Sequence, residues 1–243
     1  MKKRGSLTAL LLILLWYILS LLVHNEFIIP SPNTVMSKMF FDIFSKEFYY
    51  IVFTSLFRLL KGLVVSLIFG VPLGLIAGLS QKTSDYLRPL NAIIKSIPNM
   101  SYMIILLIWV GSENGVIFVS FFVLFPLIFT NIQSGIEQLD KNLKNALRIY
   151  PAPFLVKLKG VYIPQILPYL YSSLKVGFGL GLRVCIMAEV LNQVKVGMGK
   201  QIYYARNILD MSAIFSWTIW MIIISILLEM ILEKMKHLFK VEG

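Results

Sequence analysis

Residues 139–164 read LDKNLKNALRIYPAPFLVKLKGVYIP and form a polar, basic stretch between long hydrophobic runs. The first half predicts an amphipathic helix, because its apolar residues recur at the spacing of one helix face. Those residues are Leu139, Leu143, Ala146, Leu147 and Tyr150. The opposite face carries Asp140, Lys141, Lys144, Asn145 and Arg148.

Two prolines, Pro151 and Pro153, end this helix, because proline lacks a backbone N–H and disfavours helix in the preceding residue. A second short apolar stripe follows, made of Phe154, Leu155, Leu158, Val161 and Tyr162, and it stops at Pro164. Two short helices that meet at a proline turn indicate a docking surface for a cytoplasmic partner. An ordinary structured loop is the alternative.

The composition of the 243 residues makes lipid the main solvent of this chain. Hydrophobic residues make up 58% and charged residues only 14%, whereas about a quarter of a globular protein is charged. The net charge of +11 fits a bacterial membrane protein whose basic residues lie on the cytoplasmic side. Nucleic-acid binding is disfavoured, because the basic residues are not gathered on one soluble domain.

The hydropathy and charge pattern predicts an all-α integral membrane protein with both termini cytoplasmic. The first apolar run follows a basic start but lacks the small-residue cleavage pattern of a signal peptide, so it is predicted to be a span. A single membrane domain occupies residues 1–243, with a cytoplasmic loop over about 136–164 between the fourth and fifth spans. The six predicted spans are about 7–23, 53–79, 89–110, 116–132, 166–190 and 213–232.

Two spans contain informative small or polar residues. Gly70, Gly74 and Gly78 fall on one face of the second span, which favours close packing within the bundle over dimerisation. Near the start of that span, Arg58 and Lys61 are expected to snorkel to the outer interface. The first half of the third span is polar and includes Asn99, so that half must face protein or a watery cavity.

Arg183 and Glu189 lie within the fifth span, where a charge is costly and therefore a functional-site hypothesis. They are about 9 Å apart along a helix and out of phase, so they do not form an i, i+4 pair. Together with Asn99, they are the candidates for a translocation pathway. The alternatives are that Arg183 binds backbone carbonyls of the polar third span and that Glu189 lies at the outer interface.

Catalytic and metal-binding patterns are missing from the sequence. Its two histidines, His24 and His237, are far apart, and Cys185 is the single cysteine, so it has no disulfide partner within the chain. No P-loop motif for binding ATP is present. We therefore predict that this chain is not an enzyme and binds no metal or cofactor itself.

Seven segments, taken in order, resemble the permease subunits of bacterial ABC importers, more narrowly those of the nitrate/sulfonate/taurine type. The resemblance covers nearly the whole chain. The segments are IIPSPNTV (28–35), SLFRLLKGLVVSLIFGVPLGLIAGLS (55–80), KSIPNMSYMIILLIWVG (95–111), NALRIYPAPFLVKLKGVYIPQILPYL (145–170), LRVCIMAEVL (182–191), GMGKQIYYARNILD (197–210) and FSWTIWMIIISILLE (215–229).

This resemblance implies that the loop over 136–164 is the EAA loop, which docks on an ATPase subunit. The family pattern starts Glu-Ala-Ala and has a glycine six residues after the glutamate. The matching positions here hold Asn145, Ala146, Leu147 and Pro151, and Ile163-Pro164 replaces the closing Leu-Pro. The expected ATPase-coupling residues are Leu139, Leu143, Asn145, Ala146, Leu147, Arg148, Tyr150 and Pro151.

The resemblance also implies the remaining parts of an importer in the bacterial plasma (inner) membrane. ATP and Mg²⁺ would bind to the partner ATPase, an extracytoplasmic binding protein would deliver a small polar or anionic organic solute, and a second permease copy would complete the pathway. A stand-alone secondary transporter or channel is the alternative, with Arg183 and the polar third span as its solute site. An integral-membrane enzyme lacks a catalytic cluster.

Overall fold

The computed structural model describes residues 2–149 and 152–236, with the side chains of residues 2–7, Ala9 and Arg148 outside that description. The described part is helical, and its regular elements are eleven α-helices and one π-helical turn. They are α1 (Lys2–Val23), α2 (Pro32–Phe44), α3 (Lys46–Leu79), α4 (Gln81–Ser96), α5 (Asn99–Val110), α6 (Ser112–Glu137), α7 (Lys141–Ile149), α8 (Phe154–Lys157), the π turn Leu158–Tyr162, α9 (Ile163–Asn192), α10 (Met198–Asn207) and α11 (Met211–Lys234).

Helix α6 is the centre of the bundle and packs between α3 and α9. The contact with α3 is close, because a Cβ at Gly74 would lie 2.8 Å from the carbonyl oxygen of Phe129 and one at Gly78 would lie 2.6 Å from Cβ of Ile136. The predicted glycine face therefore packs inside the bundle, as expected from the sequence.

Three described helices are long and apolar enough to cross a membrane, namely α3, α6 and α11. All six predicted spans fall in helical segments. Helix α9 contains the fifth of them, and α1 contains the first, with its apolar part at Leu10–Val23. That all six segments cross the membrane, with both termini cytoplasmic, stays a prediction.

The predicted third span, 89–110, is not one continuous helix. It comprises the end of α4 and all of α5, and these two helices bend by 91° at their break. The cause is local: Pro98 disfavours helix at Ile97, which has extended backbone angles of φ −69° and ψ 125°.

The two ends of the bundle differ in what covers them. The loop end carries α7, α8 and the π turn, which connect α6 to α9. The opposite end carries α2 and α10, which pack on α11 and α3. Helix α2 begins at the N-cap Ser31, whose hydroxyl accepts a hydrogen bond from the N–H of Thr34 at 3.2 Å.

Candidate functional site

A polar cavity of about 340 Å³ lies between α4, α5, α6 and α9. Lys95 is the charged member among the described residues that line it. Ile94 of α4, apolar residues of α6 and Leu180 of α9 complete the wall. The polar lining residues are Lys95, Asn99, Tyr102, Thr130 and Asn131.

The cavity extends from the middle of the bundle towards the loop end. The residues of α6 that line it run from Phe122 to Asn131, about 15–28 Å along the helix from Ser112. It adjoins the break between α4 and α5, and a broken helix at mid-depth is a common way to form a solute site in transporters. The sequence prediction that the polar half of the third span faces protein or a cavity agrees with this placement of Asn99.

Thr130 holds two side chains of α4 in place. Its Oγ1 accepts hydrogen bonds from Lys95 Nζ at 2.7 Å and Asn91 Nδ2 at 2.9 Å, and it donates to the carbonyl oxygen of Pro126 at 2.8 Å. A hydroxyl has one hydrogen and two lone pairs, so Thr130 has no capacity left for a solute. Its role is to position Lys95.

Asn99 and Asn131 keep hydrogen-bonding groups free for a guest. The Oδ1 of Asn99 accepts from the Tyr102 hydroxyl at 2.7 Å, which leaves its Nδ2 without an acceptor in the described part of the chain. Asn131 donates one Nδ2 hydrogen to Ser173 at 2.9 Å. The two amides together keep three free N–H groups and three free lone pairs, and the Lys95 ammonium adds further donors.

Arg183 is exposed and lies one helical turn beyond Leu180 on α9. It lines a small groove between α9 and α11 together with Ser225 and Glu229. Among the described residues, none forms a hydrogen bond or ion pair with Arg183. The alternative in which Arg183 binds carbonyls of the third span is therefore not seen among the described residues.

Glu189 does not lie at a membrane-facing surface, contrary to the expectation from the sequence, and it does not line the cavity with Asn99. Its side chain is 0% exposed. It accepts hydrogen bonds from Arg58 Nη1 at 2.6 Å, from Ser55 Oγ at 2.9 Å and from the N–H of Gly199 at 2.9 Å.

Arg58 is buried instead of snorkelling to the interface. Besides Glu189, its guanidinium pairs with Glu113 at the start of α6. Glu113 in turn accepts a hydrogen bond from the N–H of Lys195 at 2.8 Å. This cluster joins α3, α6, α9 and the turn before α10, so the evident role of Glu189 is to hold one end of the bundle together.

Two glycines let that turn approach Glu189. A Cβ at Gly197 would lie 2.6 Å from Oε2 of Glu189, and one at Gly199 would lie 2.5 Å from its Cβ. Gly197 also has a φ of +157°, at the edge of the region that favours glycine. Larger residues at either position would push the turn away and break the bond from the Gly199 N–H.

The predicted coupling helix exists as α7, but only part of its apolar stripe is available to a partner. Leu139 precedes the helix and is 4% exposed, and Leu147 lines a groove that the chain itself forms with Gly78 and Tyr162. Leu143 and Asn145 are exposed, and Ala146 is half-buried. Tyr150, Pro151 and the Arg148 side chain lie outside the described residues.

A more exposed apolar surface begins at the last residue of that helix and continues into α8. We call it the loop ridge: Ile149, Phe154, Leu155 and Val156. Lys157 supports its geometry, because its Nζ donates to the carbonyl oxygen of Leu147 at 3.1 Å and so ties α8 to α7. Asp140 starts α7 by accepting from the N–H groups of Asn142 and Leu143.

At the opposite end, Lys38 of α2 pairs with Asp210, the N-cap residue of α11. Desolvation by itself would raise the pKa of Asp210. Hydrogen bonds from Lys38, from the Ser212 hydroxyl and from the N–H of Ala213 outweigh it, so the pKa of Asp210 lies below its ordinary value. This carboxylate fastens α2 to the beginning of α11.

Sequence reasoning missed Arg58, Glu113 and Thr130 as members of these clusters. A signal for Arg58 was present, because two opposite charges in apolar spans predict each other as partners. Thr130 gave no signal, since a threonine in an apolar run is ordinary. The loop ridge was visible as the second apolar stripe, at Phe154 and Leu155, but its greater exposure depends on how α7 packs.

The fold and these sites define a multi-pass helical membrane protein that has a polar cavity at mid-depth and an exposed amphipathic loop at one end. The chain belongs to the family described as "Binding-protein-dependent transport system inner membrane component", whose model matches residues 70–238. The resemblance to ABC importer permeases of the nitrate/sulfonate/taurine type is thereby confirmed, and so is the location in the inner membrane.

Individual relatives agree with this assignment. The chain is 24% identical over 235 residues to the taurine transport system permease protein TauC of Escherichia coli, which covers 94% of this chain and 85% of the relative. It is 28% identical over 179 residues to the nitrate import permease protein NrtB of Synechocystis, an alignment that covers 73% of this chain and 65% of the relative. It is 27% identical over 165 residues to a bicarbonate transport system permease protein CmpB of Synechococcus elongatus, an alignment that covers 67% of this chain and 59% of the relative.

Proposed function

We propose that this chain is the membrane-spanning subunit of an ATP-driven importer that moves a small polar or anionic organic solute. Two copies form the pathway, with six spans each and both termini in the cytoplasm. Two separate ATPase subunits bind ATP and Mg²⁺, and an extracytoplasmic binding protein delivers the solute. This chain carries no catalytic group and binds no cofactor.

The observation that carries this proposal is the loop ridge. Its four apolar residues are exposed on a loop of net charge +3 that joins two helices of the bundle, so the described part of this chain leaves them uncovered. Apolar surface of this kind on a polar loop marks a protein-binding site. A rigid loop that contacts both α6 and α9 would pass movement of a docked ATPase directly to the bundle.

Relatives support the class of solute. Taurine, nitrate and bicarbonate appear in the names of the three relatives, and each of these solutes has an anionic oxygen-rich group. The lining of the cavity, with Lys95 and amide donors, suits such a group. The solute of this chain is therefore expected in the same chemical range.

Co-purification of the ATPase tests the proposal. Leu155→Asp places a charge in the centre of the loop ridge and is expected to lower ATPase recovery at least about tenfold, because a charge in an apolar contact costs several kcal/mol. Leu209→Asp is the matched control, since both leucines are 66% exposed but Leu209 lies at the opposite end. Equal recovery from the two variants would reject docking at the loop ridge.

A stand-alone secondary transporter or channel is the other candidate, and it needs no loop ridge. It predicts solute flux without ATP and without a co-purifying ATPase. Flux that persists in vesicles depleted of ATP would favour it over the importer.

A further inference from the structure

We propose that the cavity around Lys95 is a transit site for an oxyanion, which the solute occupies while it crosses the membrane. This inference rests on the proposed function and adds to it a place and a chemistry of binding. Lys95, Asn99 and Asn131 are the residues that contact the solute, and Thr130 is a positioning residue.

The hydrogen-bonding inventory of the cavity favours an acceptor-rich guest. Lys95 uses one of its three N–H groups on Thr130, so two remain. Asn99 has two free N–H groups and Asn131 has one, while free lone pairs remain on Oδ1 of both amides and on the Tyr102 hydroxyl. The two free N–H groups of the Lys95 ammonium therefore tip the lining towards an acceptor-rich guest. A sulfonate, nitrate or carboxylate group supplies several oxygens to such donors without hydrogens of its own to place.

The charge of the cavity lining also favours an anionic solute over a cationic one. Among the described lining residues, the cavity holds one ammonium group and no carboxylate. Among the described residues, no carboxylate forms an ion pair with Lys95, so its charge is not already neutralised. An entering anion would neutralise Lys95, whereas an entering cation would meet a like charge in a medium of low dielectric constant.

Size and depth also fit a small solute. A volume of about 340 Å³ holds an oxyanion with a short organic tail and several waters, since each water takes about 30 Å³. The buried Oδ1 of Asn91, next to Thr130, has no hydrogen-bond partner in the described chain, which is consistent with water at this depth. Arg183 lies one turn along α9 from the cavity wall at Leu180, but it lines a separate groove together with Glu229.

Charged thiol reagents test the site without knowledge of the natural solute. Leu180→Cys places a reporter on the cavity wall of the full chain, within membrane vesicles that hold the complete assembly. The native Cys185 is fully buried and stays silent. The probes are the 2-sulfonatoethyl and 2-(trimethylammonium)ethyl methanethiosulfonates, and the measured quantity is the ratio of their modification rates, corrected by their rates with a free thiol in solution.

The sulfonate reagent is expected to react faster with the reporter than the ammonium reagent. Adding Lys95→Gln should lower the sulfonate-to-ammonium ratio at least about tenfold, because it removes a unit charge next to the reporter. Lys61→Gln is the matched control: Lys61 is an exposed lysine that lies over the ring of Phe57, outside the cavity, and its loss should change the ratio less than about twofold.

Three results would overturn the inference: an unchanged ratio in Lys95→Gln, an equal fall in Lys61→Gln, or a Leu180→Cys reporter that neither reagent modifies. ATPase recovery from the same vesicles separates this inference from the proposed function. Charge selectivity without a bound ATPase rejects the importer alone, and a bound ATPase without charge selectivity rejects the transit site alone.

Discussion

Arg58 and Glu189 carry opposite charges in two helices that the chain separates by 131 residues. Removing one partner of such a pair leaves the other buried and uncompensated. Arg58→Met is therefore expected to cost about 3–5 kcal/mol of stability. Glu113→Gln should cost only about 0–1 kcal/mol, because Glu113 is partly exposed and water can replace it.

Denaturation midpoints of the purified protein in detergent measure this difference. The double variant Arg58→Met, Glu189→Met removes both charges and should recover part of the loss, since an apolar pair avoids the desolvation penalty. If Arg58→Met is as mild as Glu113→Gln, the cluster does not hold this end of the bundle together.

Asp210 gives the structure a predictable response to acid. Its pKa is lowered in the folded state, so its ionised form stabilises the fold above the unfolded pKa of about 3.9. This contribution to stability is lost as the pH falls through the lowered pKa that Asp210 has in the folded protein. The native protein should be more stable than Asp210→Asn at neutral pH, and the difference should shrink to nothing in acid.

Denaturation midpoints of both proteins, measured in steps from neutral pH downward, test that expectation. Lys38→Met is the companion variant, because it removes the strongest hydrogen-bond donor to Asp210 and should flatten the same pH dependence. A constant gap between the native protein and Asp210→Asn at every pH would contradict the assigned role.

At the scale of elements, the contact between α3 and α6 depends on glycine. A Cβ at Gly78 would lie 2.6 Å from Ile136 Cβ and 3.0 Å from the carbonyl oxygen of Gln133, so Gly78→Ala must push the two helices apart. We expect a loss of about 1–3 kcal/mol. Gly160→Ala is the control, because a Cβ at that position meets nothing within 4 Å.

Midpoints of thermal unfolding compare the two alanine variants. Gly160→Ala should be neutral or slightly stabilising, since alanine limits the unfolded chain more than glycine does. Similar losses at Gly78 and Gly160 would show that backbone freedom, and not helix contact, explains the glycine at position 78.

The elements show which parts of the fold follow from sequence. The apolar runs and the glycine face of α3 depend on local periodicity, so they were predictable, and the polar residues before Asn99 indicated a cavity. The 91° bend between α4 and α5 could not be predicted from the sequence. A proline marks a break in a helix, but the packing of the two helices sets the angle between them. The partners of Glu189 and the burial of Leu139 depend on contacts between distant segments, which periodicity does not encode.

For the whole molecule, Arg183 is the residue that depends most on the complete assembly. It is exposed on α9, and a charge facing lipid near the centre of a bilayer costs at least about 2.5–3.5 kcal/mol. The α9 surface around it should therefore face a watery pathway or a second copy of the chain. In the proposed importer with two copies, the boundary between the copies would be such a surface.

Uptake into proteoliposomes that contain the whole assembly measures this role. With taurine and nitrate as probes, Arg183→Ala should lower ATP-driven uptake about tenfold or more, because a hydrogen bond to a charged group is worth about 1.5–3 kcal/mol. Arg183→Lys keeps the charge and should retain part of the flux, and Lys61→Ala should leave the flux unchanged.

ATPase recovery should remain normal in all three variants, because Arg183 lies on α9, well away from the loop ridge. Uptake that is equal in Arg183→Ala and the native protein would remove Arg183 from the pathway.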